Sequence, residues 1–279
     1  MKKKMFNFFA LVWIVVFVGV CSQAMAANRL YFPKTKEELS FLIKRDIYLG
    51  EIDTSNITDM SYLFQNSQRK DFSGIENWDT SKVTNMEGMF QEAWYFNQNI
   101  NSWDTSSVKN MKSMFDGAKS FNQPLNKWNT SKVTNMNAMF YGAESFNQNI
   151  NSWDTSSVEN MWAMFAAAEA FNQPLDKWDT SSVKYMTGMF NGAKSFNQPL
   201  NKWNVSSVTN MSDMFFDAES FNQNLNDWNV SSVKNMRGMF FRAKKFNQPL
   251  DKWNTSAVTD MQMMFKDSPL EKNPPRWYK

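Results

Sequence analysis

Apolar and polar residues repeat along most of this chain with a period of 25. A Met followed by a Met-Phe pair, a Phe-Asn-Gln triplet and a single Trp each return at that step without insertion. Seven uninterrupted steps predict an array of stacked coils, because one short unit cannot bury its own apolar face. The repeated tryptophans are Trp78, Trp103, Trp128, Trp153, Trp178, Trp203, Trp228 and Trp253.

Each unit has two parts with different predicted conformations. From Val83 to Phe96 the apolar residues lie mostly three or four apart, which predicts helical or 3-10 turns that face a core. The stretch 122–128 contains Pro124 and is predicted to be extended. If extended stretches stack at strand spacing, the coils form a rod roughly 40 Å long. The predicted fold class is α/β and strand-poor, with short strands, helical turns and a helical N-terminal cap.

The pattern divides the chain into four segments. The sequence Thr35-Lys36-Glu37-Glu38 is a capping box that predicts a short helix covering the first coil. Pro269 and Trp277 are expected to close the other end, because a stack of coils needs caps to stay soluble. The predicted segments are a leader at 1–26, the N-terminal cap at 27–49, about nine coils at 50–268 and the C-terminal cap at 269–279.

The first 26 residues have the pattern of a secretory leader. Three lysines precede an apolar run over 8–20, and Ala24-Met25-Ala26 provides a cleavage signal. The run is too short to span a membrane, and no second apolar stretch reaches that length, so the mature chain is predicted to lack a transmembrane segment. An alternative, less favoured by the flanking residues, is a lipid anchor at Cys21. The protein is therefore expected at the cell surface, secreted or in the periplasm.

Composition excludes several classes of site. The chain has no His and one Cys, so a Ser-His-Asp triad, a His-ligated metal site and a disulfide framework are ruled out. No cluster of unlike charged residues stands out, and an enzyme, a cofactor or a catalytic residue is not expected. Removal of residues 1–26 would leave 27 basic and 27 acidic residues. Without a basic stripe, a nucleic-acid partner is not expected.

The repeat resembles the BspA-type leucine-rich-repeat surface proteins, in particular their 25-residue mycoplasma-lipoprotein-like variant. Residues 131–155 show the shared pattern, from Ser-Lys-Val-Thr-Asn-Met through Phe-Asn-Gln to Trp-Asp-Thr, and the match covers about 50–268. The resemblance implies a right-handed, leucine-rich-repeat-like solenoid with short strands. It also implies a secreted or surface-attached binding protein, and it provides no catalytic residues.

The residues that recur in every coil are predicted to be structural. The Trp, Met and Phe columns are expected in the core, although a stacked Trp column could instead bind sugars. The Asn column that begins at Asn97 is expected to satisfy backbone groups of neighbouring coils. The Asp/Asn column that begins at Asp79 is expected to cap turns, with a calcium site as the less favoured alternative.

Positions that differ between coils carry more information about function, because the fold does not dictate them. Several large aromatics occupy slots where other coils have polar residues, and exposed aromatics of this kind often mark a binding patch. The alternative is that they are scattered surface residues without a role. The candidate partner-binding residues are Trp94, Tyr141, Trp162, Phe216 and Phe241.

The leading functional interpretation is a secreted or surface-exposed bacterial protein that mediates adhesion or protein–protein interaction through an extended face. Its partner would be a host or bacterial surface protein or a glycan. The alternatives are a carbohydrate-binding module and a periplasmic scaffold. Capped ends favour a monomer.

Overall fold

The structure is a computed structural model that describes residues 29–45 and 47–278. The predicted leader and Cys21 lie outside these residues. Within them the only α-helix is α1, Lys36–Ile43. Three short 3-10 turns are found at Leu49–Glu51, Ile75–Asn77 and Pro269–Glu271. The remainder of the described chain consists of turns, extended segments and isolated bridges, so it is strand-poor and mostly non-helical.

Successive repeats stack in register. Single parallel bridges join each coil to the next, starting at Asp59–Asn85 and ending at Asn235–Asp260. From Asn85 onward each bridge joins residues one sequence period apart, and the arrangement is consistent with a repeat solenoid. Eight full-length coils are numbered by their first Met: Met86, Met111, Met136, Met161, Met186, Met211, Met236 and Met261.

The bridging residues correct the predicted conformation of the coil. The bridges fall at the start of the Val83–Phe96 stretch, where helical turns were predicted, and not in the extended stretch 122–128. In coil 1, alternate backbone N–H groups donate to carbonyls of coil 2 at 2.7–2.9 Å. The N–H groups between them, such as that of Met89, donate three residues back within the same coil. This alternation forms successive tight turns in place of a helix or a continuous strand. The donors to coil 2 are Met86, Gly88, Phe90 and Glu92.

Two positions in every coil adopt the left-handed backbone conformation. In coil 1 these are Gly88, with φ of 57°, and Glu92, with φ of 55°. This conformation costs a residue other than Gly roughly 1–2 kcal/mol. It is nevertheless held at Ala138, Ala163 and Ala167 in coils 3 and 4, where bonds between coils fix the backbone.

The repeated aromatic residues form the core, as predicted. The Trp column is only 3–4% exposed, so a sugar platform built from these tryptophans is wrong. Each indole N–H donates to a backbone carbonyl of the preceding coil, as Trp128 does to Ile100 at 3.1 Å. The Phe columns stack between coils, with Phe115 and Phe140 ring centroids 5.5 Å apart. Stacked rings and buried Met side chains thus fill the interior of the array.

The two polar columns have the structural roles expected of them. The Asn97 Oδ1 accepts hydrogen bonds from the Asn122 N–H at 3.0 Å and from Gln123 Nε2 at 3.1 Å, and equivalent bonds recur along the column. The Asp79 Oδ1 accepts from both the N–H and the hydroxyl of Ser81. The Asn column therefore joins coils, whereas the Asp/Asn column caps turns within them.

A short helix precedes the first coils, and aromatic side chains pack against the last coil. The Glu38 N–H donates to Thr35 Oγ1 at 3.2 Å at the start of α1, and Leu39 and Ile43 are buried. At the other end Trp277 stacks on Trp253, with ring centroids 6.0 Å apart. Its indole N–H donates to the Leu250 carbonyl at 2.8 Å, so Trp277 continues the Trp column beyond the last coil.

Candidate partner-binding surface

The outer surface of the bridged turns is the part of each coil that varies most. We define the turn segment as the eight residues from Asn85 to Glu92 and their equivalents, and the turn face as the surface that these segments form together. The side chains of Met86, Met89 and Phe90 are buried, whereas Glu87 and Gln91 are partly exposed. The turn face is therefore a rigid frame whose outward residues can change without disturbing the core.

Three of the five predicted aromatics are exposed. Tyr141 and Trp162 lie on the turn face of coils 3 and 4, and both are 46% exposed. Trp94 lies just beyond the turn segment of coil 1 and is 43% exposed. Its indole N–H donates to Glu92 Oε2 at 2.7 Å, so its polar edge is already occupied.

The other two predicted aromatics form a closed pair. Phe216 and Phe241 lie side by side, as expected, with ring centroids 4.7 Å apart and rings nearly parallel. Phe216 is half-buried, but Phe241 is only 7% exposed, so the expectation that it is exposed is wrong. The Arg242 guanidinium lies 5.1 Å from the centre of the Phe241 ring. These neighbours bury Phe241 and leave little of its ring for a partner.

A further exposed aromatic, Tyr185, was not among the predicted residues. It is 53% exposed and belongs to the bridging column, where it pairs with Asn160 and Asn210. Every other full-length coil has Asn or Asp at this position, and that break in the column is the sequence signal that identifies it. Tyr141, Trp162 and Tyr185 thus fall on three consecutive coils of one face.

These three coils differ from the others in charge. We call their turn segments, residues 135–142, 160–167 and 185–192, the central window. The central window contains no Asp, Glu, Lys or Arg, whereas every other turn segment contains at least one. Charged residues at equivalent positions include Glu87, Lys112, Asp116, Asp213, Arg237 and Lys266.

Charges elsewhere on the turn face interact closely. In coil 1, burial opposes ionisation of Glu87, but hydrogen bonds from Lys112 and Tyr62 outweigh it and lower the pKa of this carboxyl. The hydrogen bond to Glu87, together with burial, raises the pKa of Tyr62 to about 12. In coil 2, burial raises the pKa of Asp116 despite a hydrogen bond from Gln91. The N-terminal part of the face is therefore polar and ionised, unlike the central window.

The residues that flank the central window carry charge, but in pairs. Lys184 Nζ lies 2.8 Å from Glu159 Oε2 on one side. On the other side Lys194 Nζ lies 2.6 Å from Glu169 Oε1. In both pairs a hydrogen bond to the carboxylate raises the pKa of the lysine. The window thus has a border whose charges cancel.

Amides are among the polar side-chain groups inside the window. The Asn135 and Asn160 Oδ1 atoms accept the N–H of the residue two positions later. The Asn137 Oδ1 is buried and has no hydrogen-bond partner among the described residues. Asn137 precedes Trp162 by one coil in the same column. The window therefore combines exposed rings with amide groups and small residues.

Residues 29–45 and 47–278 contain neither a candidate metal site nor a helix that could span a membrane. No group of three or more acidic or Cys side chains there could hold a metal ion. No helix in that part of the chain is long and apolar enough to cross a membrane. The described residues therefore define a repeat protein with a variable outer face.

The sequence matches the repeat family described as "Mycoplasma protein of unknown function, DUF285", over residues 35–140, 58–178, 123–207 and 167–277. The four overlapping matches cover most of the chain, and the protein belongs to this family. Membership suggests a surface protein. No functionally curated protein matches the chain. The narrower resemblance to BspA-type proteins stays a prediction.

Proposed function

We propose that this protein is exported and displayed on the bacterial surface, where the central window binds a macromolecular partner. In this proposal the stacked coils hold the binding residues rigidly, and many weak contacts add along the face. Adhesion to another surface is the activity that such display would serve.

The central window is the observation that carries the proposal. Tyr141, Trp162 and Tyr185 are exposed on adjacent coils whose turn segments are uncharged, whereas every other turn segment carries a charged residue. Tyr and Trp at a surface are well suited to binding, because each offers a large rigid ring together with a polar group. The repeated Asn and Trp residues are occupied within the fold and are not needed for this role.

The finer description of the fold belongs to the same proposal. We infer a right-handed, leucine-rich-repeat-like solenoid that acts as a monomer and has no catalytic activity. The closed Trp277 cap supports the monomer, since it covers the apolar end of the last Trp column. The family match supports the repeat architecture and suggests surface location.

Protease shaving of intact cells tests surface display. Trypsin is added to whole cells that express the full chain, and released peptides are identified by mass spectrometry. Peptides from residues 29–278 should be released while a periplasmic marker stays protected. Their protection until the envelope is opened would contradict surface display and favour the periplasmic scaffold.

A further inference from the structure

We propose that the partner of the central window is a neutral glycan. This inference rests on the proposed function, because it assigns a chemical class to the partner of the same surface. Three features of the window support a neutral glycan: its lack of charge, its exposed aromatic rings and its amide groups.

The charge pattern argues against an acidic or a basic partner. The outward column that contains Trp162 accepts Glu87, Lys112 and Arg237 in other coils, so the fold tolerates either sign there. Nevertheless, the three turn segments of the central window have no charge, and Glu159–Lys184 and Glu169–Lys194 cancel at its border. A charged partner would gain no complementary ion pair and would lose part of its hydration on contact.

The aromatic rings of the window are exposed and unstacked. Tyr141, Trp162 and Tyr185 do not stack on any other aromatic ring of the described chain, whereas Phe216 and Phe241 stack on each other. In the same turn segments Ala138, Ala163 and Ala166 are buried and add only methyl groups. The negative face of an aromatic ring attracts the C–H groups of a sugar ring, so exposed, unstacked rings suit such a ligand.

Amide side chains in the window provide hydrogen-bonding groups for a ligand. Glu87 accepts a hydrogen bond from Asn110 Nδ2 at 3.1 Å in the charged part of the face. In the central window the Nδ2 groups of Asn135 and Asn160 make no hydrogen bond within the described part of the chain. Amide groups can donate to and accept from hydroxyls, and they carry no charge. Exposed rings beside unengaged amides are the combination that a neutral glycan, rich in hydroxyls and C–H faces, would recognise.

Affinity gel electrophoresis provides the first test. The full chain is run through gels that contain dextran, mannan, galactan or a β-1,3-glucan, with heparin as the charged comparison. We expect retardation by at least one neutral polysaccharide, unchanged between low and high salt because no ion pair is involved. Trp162→Ala and Tyr185→Ala should each weaken it at least tenfold.

Tyr95→Ala is the matched control. Tyr95 is 46% exposed but lies outside the central window, beneath the Lys70 ammonium. Its loss should leave retardation unchanged, and thermal melts of all three variants should match that of the parent chain. Absence of retardation by every neutral polysaccharide, or equal weakening by Tyr95→Ala, would overturn the glycan assignment.

A second measurement separates this inference from the proposed function. Labelled protein is bound to epithelial cells and bacterial envelopes treated with periodate, which destroys sugar diols, or with protease. Window-dependent binding that periodate abolishes and protease spares supports the glycan. Binding that protease abolishes and periodate spares overturns the glycan but retains the window. Binding that Trp162→Ala leaves unchanged overturns both proposals.

Discussion

The central window and the turn segments of coils 6 and 7 have the same backbone conformation but present different outward residues. The Phe165 N–H donates to the Met189 carbonyl at 2.9 Å, and the Phe215 N–H donates to the Met239 carbonyl at the same distance. Outward residues are uncharged with free rings in the window, but charged with a closed Phe pair in the later coils. Inward residues therefore set the fold, and outward residues can set recognition independently.

Serine substitutions on the two surfaces should differ most in their effect on the free energy of unfolding. Phe241→Ser removes a buried ring from its stack with Phe216 and should lower the free energy of unfolding by about 3 kcal/mol. Trp162→Ser removes a half-exposed ring and should change it by less than about 0.5 kcal/mol. Urea unfolding followed by circular dichroism measures both. Equal losses would show that the two aromatics are equally buried in solution.

Substitutions at the left-handed positions of the window should change the free energy of unfolding by a smaller amount, in a direction that the backbone conformation fixes. Gly192→Ala should lower the free energy of unfolding by about 1 kcal/mol, because Ala is strained at this φ of 68°. A Cβ there would lie 3.6 Å from Ala167 Cα, so crowding adds little. Ala167→Gly, at the same place one coil earlier, should stabilise by about 0.5 kcal/mol, since relief of strain exceeds the loss of chain stiffness. Thermal melts of both variants test these changes. Stabilisation by Gly192→Ala would contradict the left-handed conformation at this position.

The carboxyls of the turn-capping Asp/Asn column should produce the smallest effect, which is a change in stability at acid pH. Hydrogen bonds from the hydroxyl and N–H of Ser156 lower the pKa of Asp154, and those from Ser181 do the same for Asp179. A carboxyl whose pKa is lower in the folded state stabilises the fold at neutral pH, and this contribution is lost as pH falls below about 4. Asn229 and Asn254 hold the same position in two later coils and do not titrate.

We therefore expect the double variant Asp154→Asn and Asp179→Asn to unfold at lower pH than the parent chain. Acid titration followed by tryptophan fluorescence locates the midpoint. Ser156→Ala and Ser181→Ala remove the hydroxyl donors and serve as a second route to the same carboxyls. An unchanged midpoint in all variants would show that these hydrogen bonds do not contribute to stability in acid.

The sequence predicted the period, the core columns, the Asn ladder, the turn caps and α1, because each of these repeats or follows local chemistry. It did not predict the turns correctly. The left-handed positions hold Gly in coil 1 at Gly88 but Ser113 and Ala138 in the next two coils, so no glycine column marked them. Without such a column, apolar residues spaced three apart resembled the pattern of a helix. The burial of Phe241 depends on Phe216 and Arg242 together, which spacing alone does not reveal.

Exchange of one turn segment tests whether the outward residues of the central window determine binding independently of the fold. Residues 160–167 are replaced by the sequence of residues 235–242, which places Arg at positions 162 and 167 and Phe at position 166 while keeping the bridging Asn and the inward Met and Phe residues. Binding to the neutral polysaccharide that retards the parent chain is then measured beside the thermal melt. We expect a cooperative melt and at least a tenfold loss of binding. Undiminished binding by the folded exchange variant would contradict this role of the outward residues.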